Sequence, residues 1–363
     1  MKKVILLTPL TGNGGIASWS RKFIQTFKDE NYTLIPIDRT AKGRTFQETT
    51  FFKRMKAGLV EMKRNIEQIK EEIAKQQIDI LHTTTSGSLG TYRDYQVAKL
   101  CRKNGIKTVM HCRYGCIPED IKRPLYGKFL QKTMSLYDQI WVLDTRSEKT
   151  LKEYSALRDK VFVTPNSIHV DEGVEIGSSD YKHIAFIANL IPTKGLYELI
   201  EGFVKLGRED VKLSIVGTGQ DGVIRYAKEL AKSNLGKNIF FLGQLPNNEA
   251  VKFMQTVDIL ALPTYMPHEA FPISILEAMS LGKLVISTRW AAIGDMLTGV
   301  DGNPCGIFVE KKSVSDITHA IEWCLSFHNE ADKIRQKAYE KVYNSYRMEI
   351  VYELYKQLYK RLF

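Results

Sequence analysis

The stretch from Asp258 to Gly282, DILALPTYMPHEAFPISILEAMSLG, decides the architecture. It opens on an unbroken apolar run, Ile259-Leu260-Ala261-Leu262, which suits a strand buried on both faces of a parallel sheet. A polar loop follows, Thr264 to Pro272. Ile273, Leu276, Ala278, Met279 and Leu281 then recur at helical spacing until Gly282 stops the pattern. Pro272 falls where a first-turn proline is tolerated, because that N–H has no partner inside a helix. One carboxylate, Glu269, therefore lies in the loop ahead of a helix, and a second, Glu277, about one turn inside it.

Outward from this unit the chain alternates strand and helix. In the first half the strand candidates are Val4–Leu7, Tyr32–Ile37, Ile78–His82, Thr108–His111, Ile140–Leu143 and Val161–Val163. Helical stretches near Ala17–Lys28, Phe51–Lys75, Asp94–Asn104 and Pro124–Tyr137 separate them. Such alternation predicts a parallel, doubly wound sheet. Phe52, Met55, Leu59, Met62, Ile66, Ile69 and Ile73 step by three and four, as the buried face of a surface helix does; a membrane or a partner helix could use the same stripe. After Asn166 the pattern breaks into an acidic, Gly- and Ser-bearing segment, Ile168 to Lys182, read as a linker. A second alternating half follows, with strands at His183–Ala188, Lys212–Val216, Ile239–Leu242 and Leu284–Ser287 around the opening unit, and helices from Leu196 and near Gly222–Ser233. Two domains are thus expected, 1–167 and 168–346, each long enough for its own core, with a closing Tyr- and Leu-rich helix over 347–363.

Composition narrows the class. Hydrophobic content of 44% and charged content of 26% are those of an ordinary soluble globular chain. No apolar run approaches the ~18 residues that suggest a membrane span. The opening Met1-Lys2-Lys3 and VILLTPL resemble a signal peptide only briefly, since TGNGG stands where a small-residue cleavage site belongs; the segment reads as a first strand. Five cysteines without framework spacing favour a reduced, cytoplasmic compartment. His111, Cys112 and Cys116 are close in sequence but lack C-x-x-C spacing and a second pair, so no metal is expected there. Residues 1–167 carry 30 Lys/Arg against 17 Asp/Glu, whereas 168–363 carry 22 against 24. No nucleic-acid-binding signature accompanies this bias. An anionic membrane surface or a phosphate-bearing acceptor suits it, as does a merely well-solvated basic face.

Several stretches bear on chemistry. The free N–H groups of Ile273 and Ser274, with the helix dipole, would draw an anion such as a diphosphate. Carboxylates that near would repel it, so Glu269 and Glu277 are read as acceptors for hydroxyls; a solvated loop glutamate and a helix-surface glutamate are the plain alternative. In TPLTGNGGIASWS, Gly12, Gly14 and Ala17 satisfy G-x-G-x-x-G/A and Asp38 ends the next strand, which keeps an NAD(P)-dependent dehydrogenase open. Against it, Pro9-Leu10-Thr11 intervenes between strand and first glycine. The other reading is a flexible Gly14-Gly15 loop closing over a phosphate. His82 and His111 both fall at the C-terminal ends of expected parallel strands, the edge that faces a ligand in open α/β sheets.

The segment HEAFPISILEAMSLGKLVIST resembles the E-x7-E element of the retaining GT-B glycosyltransferases of family four (glycosyltransferase group 1), with Glu269 and Glu277 as its two glutamates. That resemblance implies two Rossmann-like doubly wound domains facing a central cleft, and transfer of a sugar with retention from a nucleotide-diphosphate sugar to a hydroxyl of a glycan or lipid-linked acceptor, as in cell-surface polysaccharide biosynthesis. UDP-sugar is expected rather than GDP-sugar, with no cofactor and no metal. The resemblance casts Glu269, His111 and Lys194 as catalytic. It casts Gly14, Gly15, Asn189, Gly217, Gly219, Gln244, Phe271, Ile273, Ser274 and Glu277 as binding the nucleotide or substrate. IANLIPTKG (187–195) matches the family's diphosphate-gripping motif at Lys194 and Gly195, but Asn189 stands in place of its arginine. A hydrogen bond to a charged group is worth ~1.5–3 kcal/mol, so the exchange weakens donor binding unless another cation substitutes, and a nucleotide-sugar binder of low activity is the alternative. WAAIGD puts Ala291, Ala292 and Asp295 where the family has Gly-Gly-x-x-Glu. The resemblance also implies that the last helix crosses back to the first domain; the cysteines point to a cytoplasmic protein, and the basic first half to peripheral membrane contact.

Overall fold

A computed structural model describes residues 1–12, 14–40, 51–171 and 176–363, without the side chains of 51–55. Phe52 and Met55 of the apolar stripe, Asn13 of the glycine loop and positions 172–175 of the expected linker therefore lie outside the described residues. Contacts divide the chain into two units, Met1–Thr164 with Leu354–Phe363, and Pro165–Glu353.

In the first unit the described strands are β1 (Lys2–Thr8), β2 (Tyr32–Asp38), β3 (Ile80–Thr85), β4 (Lys107–Cys112), β5 (Gln139–Val142) and β6 (Val161–Val163). They pair in parallel in the order β2-β1-β3-β4-β5-β6. All of β3 and β5 is buried, which is why those segments read as continuous apolar or β-branched runs. The three threonines Thr83–Thr85 extend β3 beyond the expected His82, as β-branched residues do. Pro36 sits in β2, where the edge position leaves its missing N–H without consequence. The stripe on helix Phe51–Lys75 turns its described members Met62 and Ile69 into the core, Ile69 packing with Ile5, Leu7, Ile37 and Leu81. Leu59 of the same stripe stays exposed.

The second unit repeats the plan with β7 (His183–Ile187), β8 (Lys212–Val216), β9 (Ile239–Gly243), β10 (Ile259–Leu262), β11 (Leu284–Thr288) and β12 (Ile307–Val309). Their order, β12-β11-β10-β7-β8-β9, is again parallel throughout. Numbered within the unit this is the 3-2-1-4-5-6 order of dinucleotide-binding sheets, whose direction reverses between β7 and β10. The decisive run Ile259–Leu262 is β10, wholly buried, and Ile273–Ser280 is the helix after it. Pro272 is the N-cap of that helix rather than its first residue, with ψ 118°.

Both sheets confirm the doubly wound parallel expectation. Strand β12 and the helices Val314–Ser326 and His328–Ser345 went unread, although Ser313 caps the first of these by accepting from the Asp316 N–H at 3.2 Å. The last helix runs Met348–Lys360, and its residues from Leu354 on pack with the first unit: Tyr355, Leu358 and Tyr359 are buried there, and Gln139 Nε2 donates to the Leu358 carbonyl at 2.7 Å. Cys112 and Cys116 lie in an apolar cluster around Leu130, Met134 and Ile140, and burial pushes the Cys116 thiol up to about 12. Among the described residues no helix is long and apolar enough to cross a membrane.

Candidate functional site

In the second unit the loops that leave β7 and β10 at the switch point are stitched together. After β7 the chain turns through a short 3-10 segment, Pro192–Lys194, into helix Leu196–Leu206. The Thr193 carbonyl accepts from the Tyr265 N–H at 2.8 Å, tying that turn to the loop after β10. Lys194 Nζ then meets Glu269 Oε2 at 2.5 Å, across 75 residues of sequence, and Thr264 Oγ1 donates to the same oxygen at 3.1 Å. Glu269 is buried, with 7% of its surface exposed, so its charge is compensated by this lysine and not by water. Lys194 and Glu269, expected as separate ligand contacts, are thus partners of one another.

Glycines set the floor. Gly217 (φ 145°) lies so close to the Ala188 carbonyl that a Cβ would come within 1.9 Å of its oxygen. At Gly219 the same test gives 2.2 Å to the Leu190 oxygen, and at Gly195 (φ 80°) 2.3 Å to that of Pro263. The Leu190 N–H bonds Thr218 O at 2.8 Å, and the Gly217 N–H bonds Gly243 O at 2.8 Å. Strands β7, β8, β9 and β10 are thereby held edge to edge just where they end, and Asn189 sits exposed between two of these contacts.

The helix Ile273–Ser280 starts at the same edge, and among the described residues no side chain caps it. Ile273 is exposed, Ser274 and Glu277 are half-buried, and Glu277 falls four residues after Ile273, on the same face. An uncapped N-terminus keeps its partial positive charge available to an anion. Gln244 is exposed at the end of edge strand β9. Phe271 is placed otherwise than the sequence suggested: it is buried, edge-on to Tyr346 at 5.4 Å, and its carbonyl accepts from Asn166 Nδ2 at 3.0 Å. The sequence reading missed Tyr265 and Glu198, hydrogen-bonded at 2.9 Å, with the second Glu198 oxygen enclosed and unpartnered among the described residues. It also missed Lys312, whose ammonium lies 5.1 Å from the Tyr265 ring centre. No motif marks these; they converge only through the sheet order. Ala291 holds φ 47°, a left-handed conformation natural to the glycine expected there.

In the first unit Gly14 caps helix Gly15–Thr26, and no atom of the described residues lies within 4 Å of a would-be Cβ at Gly14 or Gly15. Asp38, the acid that kept a dehydrogenase in view, is spent locally. Its Oδ1 accepts from the Leu10 N–H at 2.9 Å, the Thr40 N–H at 2.8 Å and Thr40 Oγ1 at 2.5 Å. Burial raises its pKa, but these hydrogen bonds outweigh that and hold it below the ordinary range. The dinucleotide strand order, moreover, belongs to the other sheet.

His111 does not present itself to a ligand. It is fully buried, and a chain of hydrogen bonds occupies both ring nitrogens: Arg113 Nη1 to His111 Nε2 at 3.3 Å, His111 Nδ1 to His82 Nε2 at 3.1 Å, and His82 Nδ1 to Tyr359 Oη at 2.5 Å. A guanidinium can only donate, so His111 accepts on Nε2, which fixes both tautomers down to the tyrosine. Burial, then the Arg113 charge, hold His82 down to about 3 and His111 well below the usual histidine range. Arg113 itself stacks 4.1 Å over Trp19.

Residues 174–341 match the family described as glycosyl transferases group 1. An uncharacterized glycosyltransferase of Bacillus subtilis, YqgM, is 21% identical over 62% of this chain, and the match spans 62% of that relative, somewhat under two thirds. Among solved structures, sucrose-phosphate synthase from Thermosynechococcus elongatus superposes over 100% of this chain and 99% of its own, with TM-score 0.78 at 13% identity. Anabaena HepE, solved in complex with UDP, covers 99% of this chain and 100% of its own, with TM-score 0.70 at 14% identity. The two parallel six-stranded sheets and their superposition on these structures show the GT-B fold, and within it residues 174–341 are similar to the glycosyl transferases group 1.

Proposed function

We propose that the chain transfers a sugar, with retention, from a nucleotide-diphosphate sugar to a hydroxyl of a glycan or lipid-linked acceptor, in the manner of the family-four enzymes of cell-surface polysaccharide biosynthesis. The observation that carries this reading is the Lys194–Glu269 pair at the β7/β10 switch point, beside an uncapped helix N-terminus. In this reading the diphosphate settles on the N–H groups of Ile273 and Ser274, and Lys194 turns from Glu269 to the departing phosphate. Charge is then stabilised where it develops. Freed of its lysine, Glu269 accepts a hydroxyl of the transferred sugar, and Glu277 a ribose hydroxyl. The bond from the anomeric carbon to phosphate breaks as the acceptor oxygen bonds that carbon on the same face, and the acceptor's proton passes to the phosphate. UDP is the proposed nucleotide, a choice the HepE complex with UDP supports by analogy of fold. The chain is further proposed to work at an anionic membrane surface met by its basic half.

Titration with UDP tests the donor site. Saturable heat of binding is expected, weakened about tenfold or more in Lys194→Ala, since a charge-assisted contact is worth ~1.5–3 kcal/mol. Glu269→Gln should lose consumption of labelled UDP-sugar while still binding UDP. Full turnover in that variant would remove the basis of the reading. Asn189 favours a second reading, a nucleotide-sugar binder without turnover: UDP binding with no donor consumed in the presence of any acceptor extract would select it.

A further inference from the structure

The carboxyl edge of the first sheet carries a site of its own. In the order β2-β1-β3-β4-β5-β6 the winding direction reverses between β1 and β3, and a cavity of about 620 Å³ lies there. That volume suits a small polar molecule of one or two sugar rings. Two helices begin at its wall. Gly14 and Gly15 open the helix after β1, and Leu89 and Gly90 open helix Gly90–Lys103 after β3; among the described residues neither start has a side-chain cap. The cavity thus faces two positive helix ends at once.

Helix ends alone make no site, but here a guanidinium stands between them. Arg39 follows β2 directly and lines the cavity. Its side chain is half-buried, yet its Nε is wholly enclosed and finds no hydrogen-bond partner among the described residues. One Nη reaches Thr84 Oγ1 at a long 3.4 Å. The neighbouring Arg93, also on the wall, gives its Nε and one Nη to Asp94, at 3.0 and 2.6 Å. Burial, then the Arg93 charge, push the Arg39 pKa down to about 9. Asp94, Glu61 and Asp38 offset part of its charge, but its Nε still lacks an acceptor among the described residues. Opposite in sign, Glu61 also lines the cavity and would repel an anion beside it, but can accept from a hydroxyl.

We propose that this cavity binds a polyol carrying one acidic group, a phosphate or a carboxylate, which Arg39 receives while Glu61 takes a hydroxyl. Taken with the transferase reading, on which this role rests, the polyol is the acceptor, and Arg39 is the residue that selects acidic acceptors over neutral ones.

Calorimetry on the full chain with glucose 6-phosphate, glucuronate and glucose tests this. At least one acidic sugar is expected to bind about tenfold or more tighter than glucose. Arg39→Gln should abolish that preference and leave UDP binding intact, which also shows that the variant folds. Arg39→Lys should keep part of it, and Lys194→Ala all of it. Equal binding of acidic and neutral sugars by the parent chain, or a preference that survives Arg39→Gln, overturns the proposal. Should Arg39→Gln not fold, a crystal soaked in glucose 6-phosphate decides: phosphate on Arg39 upholds the site, phosphate elsewhere removes it. Competition by phosphatidylinositol in phosphatidylcholine vesicles, and not by phosphatidylcholine alone, would assign the acidic group to a lipid headgroup; its absence would assign it to a soluble sugar acid. The two readings fail separately. Loss of UDP binding with the acidic preference intact defeats the transferase, whereas UDP binding without the preference defeats this site.

Discussion

Two imidazoles buried 3.1 Å apart are tolerable only while both stay neutral, and the chain from Arg113 to Tyr359 enforces that. The consequence is measurable. With the folded pKa of His82 near 3 and that of His111 also far below normal, the unfolded chain binds more protons than the folded one at any pH below the ordinary histidine value of about 6.5. Stability is therefore fully present above that value and falls as pH drops through it, by about 2 kcal/mol for His82 from about pH 7 to about pH 5, with His111 acting in the same direction. Urea unfolding at the two pH values checks this: the drop should shrink in a His82→Gln, His111→Gln double variant, and an unchanged drop would refute the assignment. The same pair shows what sequence discloses about a residue. That His82 and His111 end strands of a parallel sheet was legible, because apolar runs mark those strands. That both point into an aromatic core was not, because Tyr355 and Tyr359 reach them from more than 240 residues further along the chain. Lys194 and Glu269 were each legible through motifs, while their pairing depends on which strands are neighbours, and no local pattern encodes that.

At the scale of elements the second sheet depends on close approaches that only glycine permits. A methyl group at position 217 would have to displace the Ala188 carbonyl at the very end of β7, and φ 145° there disfavours any side chain. Gly217→Ala is expected to cost about 2–3 kcal/mol and to weaken UDP binding together with stability, because the shifted strand end carries the turn to Lys194. Gly14→Ala, with open space around its would-be Cβ, should by contrast change stability by under about 1 kcal/mol. Melting temperatures of the two variants, measured side by side, decide the point. Removal of Leu354–Phe363 is the matching experiment on the first sheet. Two buried tyrosines, which pack beside Trp141, and two buried leucines, Leu358 and Leu362, would be lost, at several kcal/mol in all. Hydrogen exchange should then rise in β3, β4 and β5 and stay low in β10. Elements with long apolar or periodic signals, such as β10 and the helices over 196–206 and 51–75, were readable because burial itself makes the pattern. The three-residue edge strand β12 was not, although β6, equally short and also at an edge, was.

For the whole molecule the sequence discloses charge better than it discloses shape. The excess of basic over acidic residues falls entirely before position 168, and ion pairs such as Lys70–Glu67 and Lys152–Glu148 neutralise only part of it. One place concentrates the remainder in a form suited to a membrane. Lys122, Arg123 and Lys128 are exposed around Leu125, which is 87% exposed, so an apolar side chain projects from a basic loop with nothing to pack against among the described residues. A cationic rim around a bare leucine fits a bilayer surface, where each Lys or Arg near anionic headgroups adds about 1 kcal/mol and the leucine can leave water. Arg123 also lies 3.3 Å from Asp120, which discounts its share. Binding to vesicles of phosphatidylglycerol and phosphatidylcholine should therefore be clear at low ionic strength and fade as the Debye length shrinks from about 10 Å at 0.1 M salt to about 3 Å at 1 M. Lys122→Glu with Lys128→Glu should weaken co-sedimentation by about tenfold or more at the lower salt, since two favourable charges become two repulsive ones. Leu125→Asp should weaken it by a further step that salt does not mimic. Uptake by vesicles that ignores both salt and these substitutions would leave the basic half as a solvated surface only.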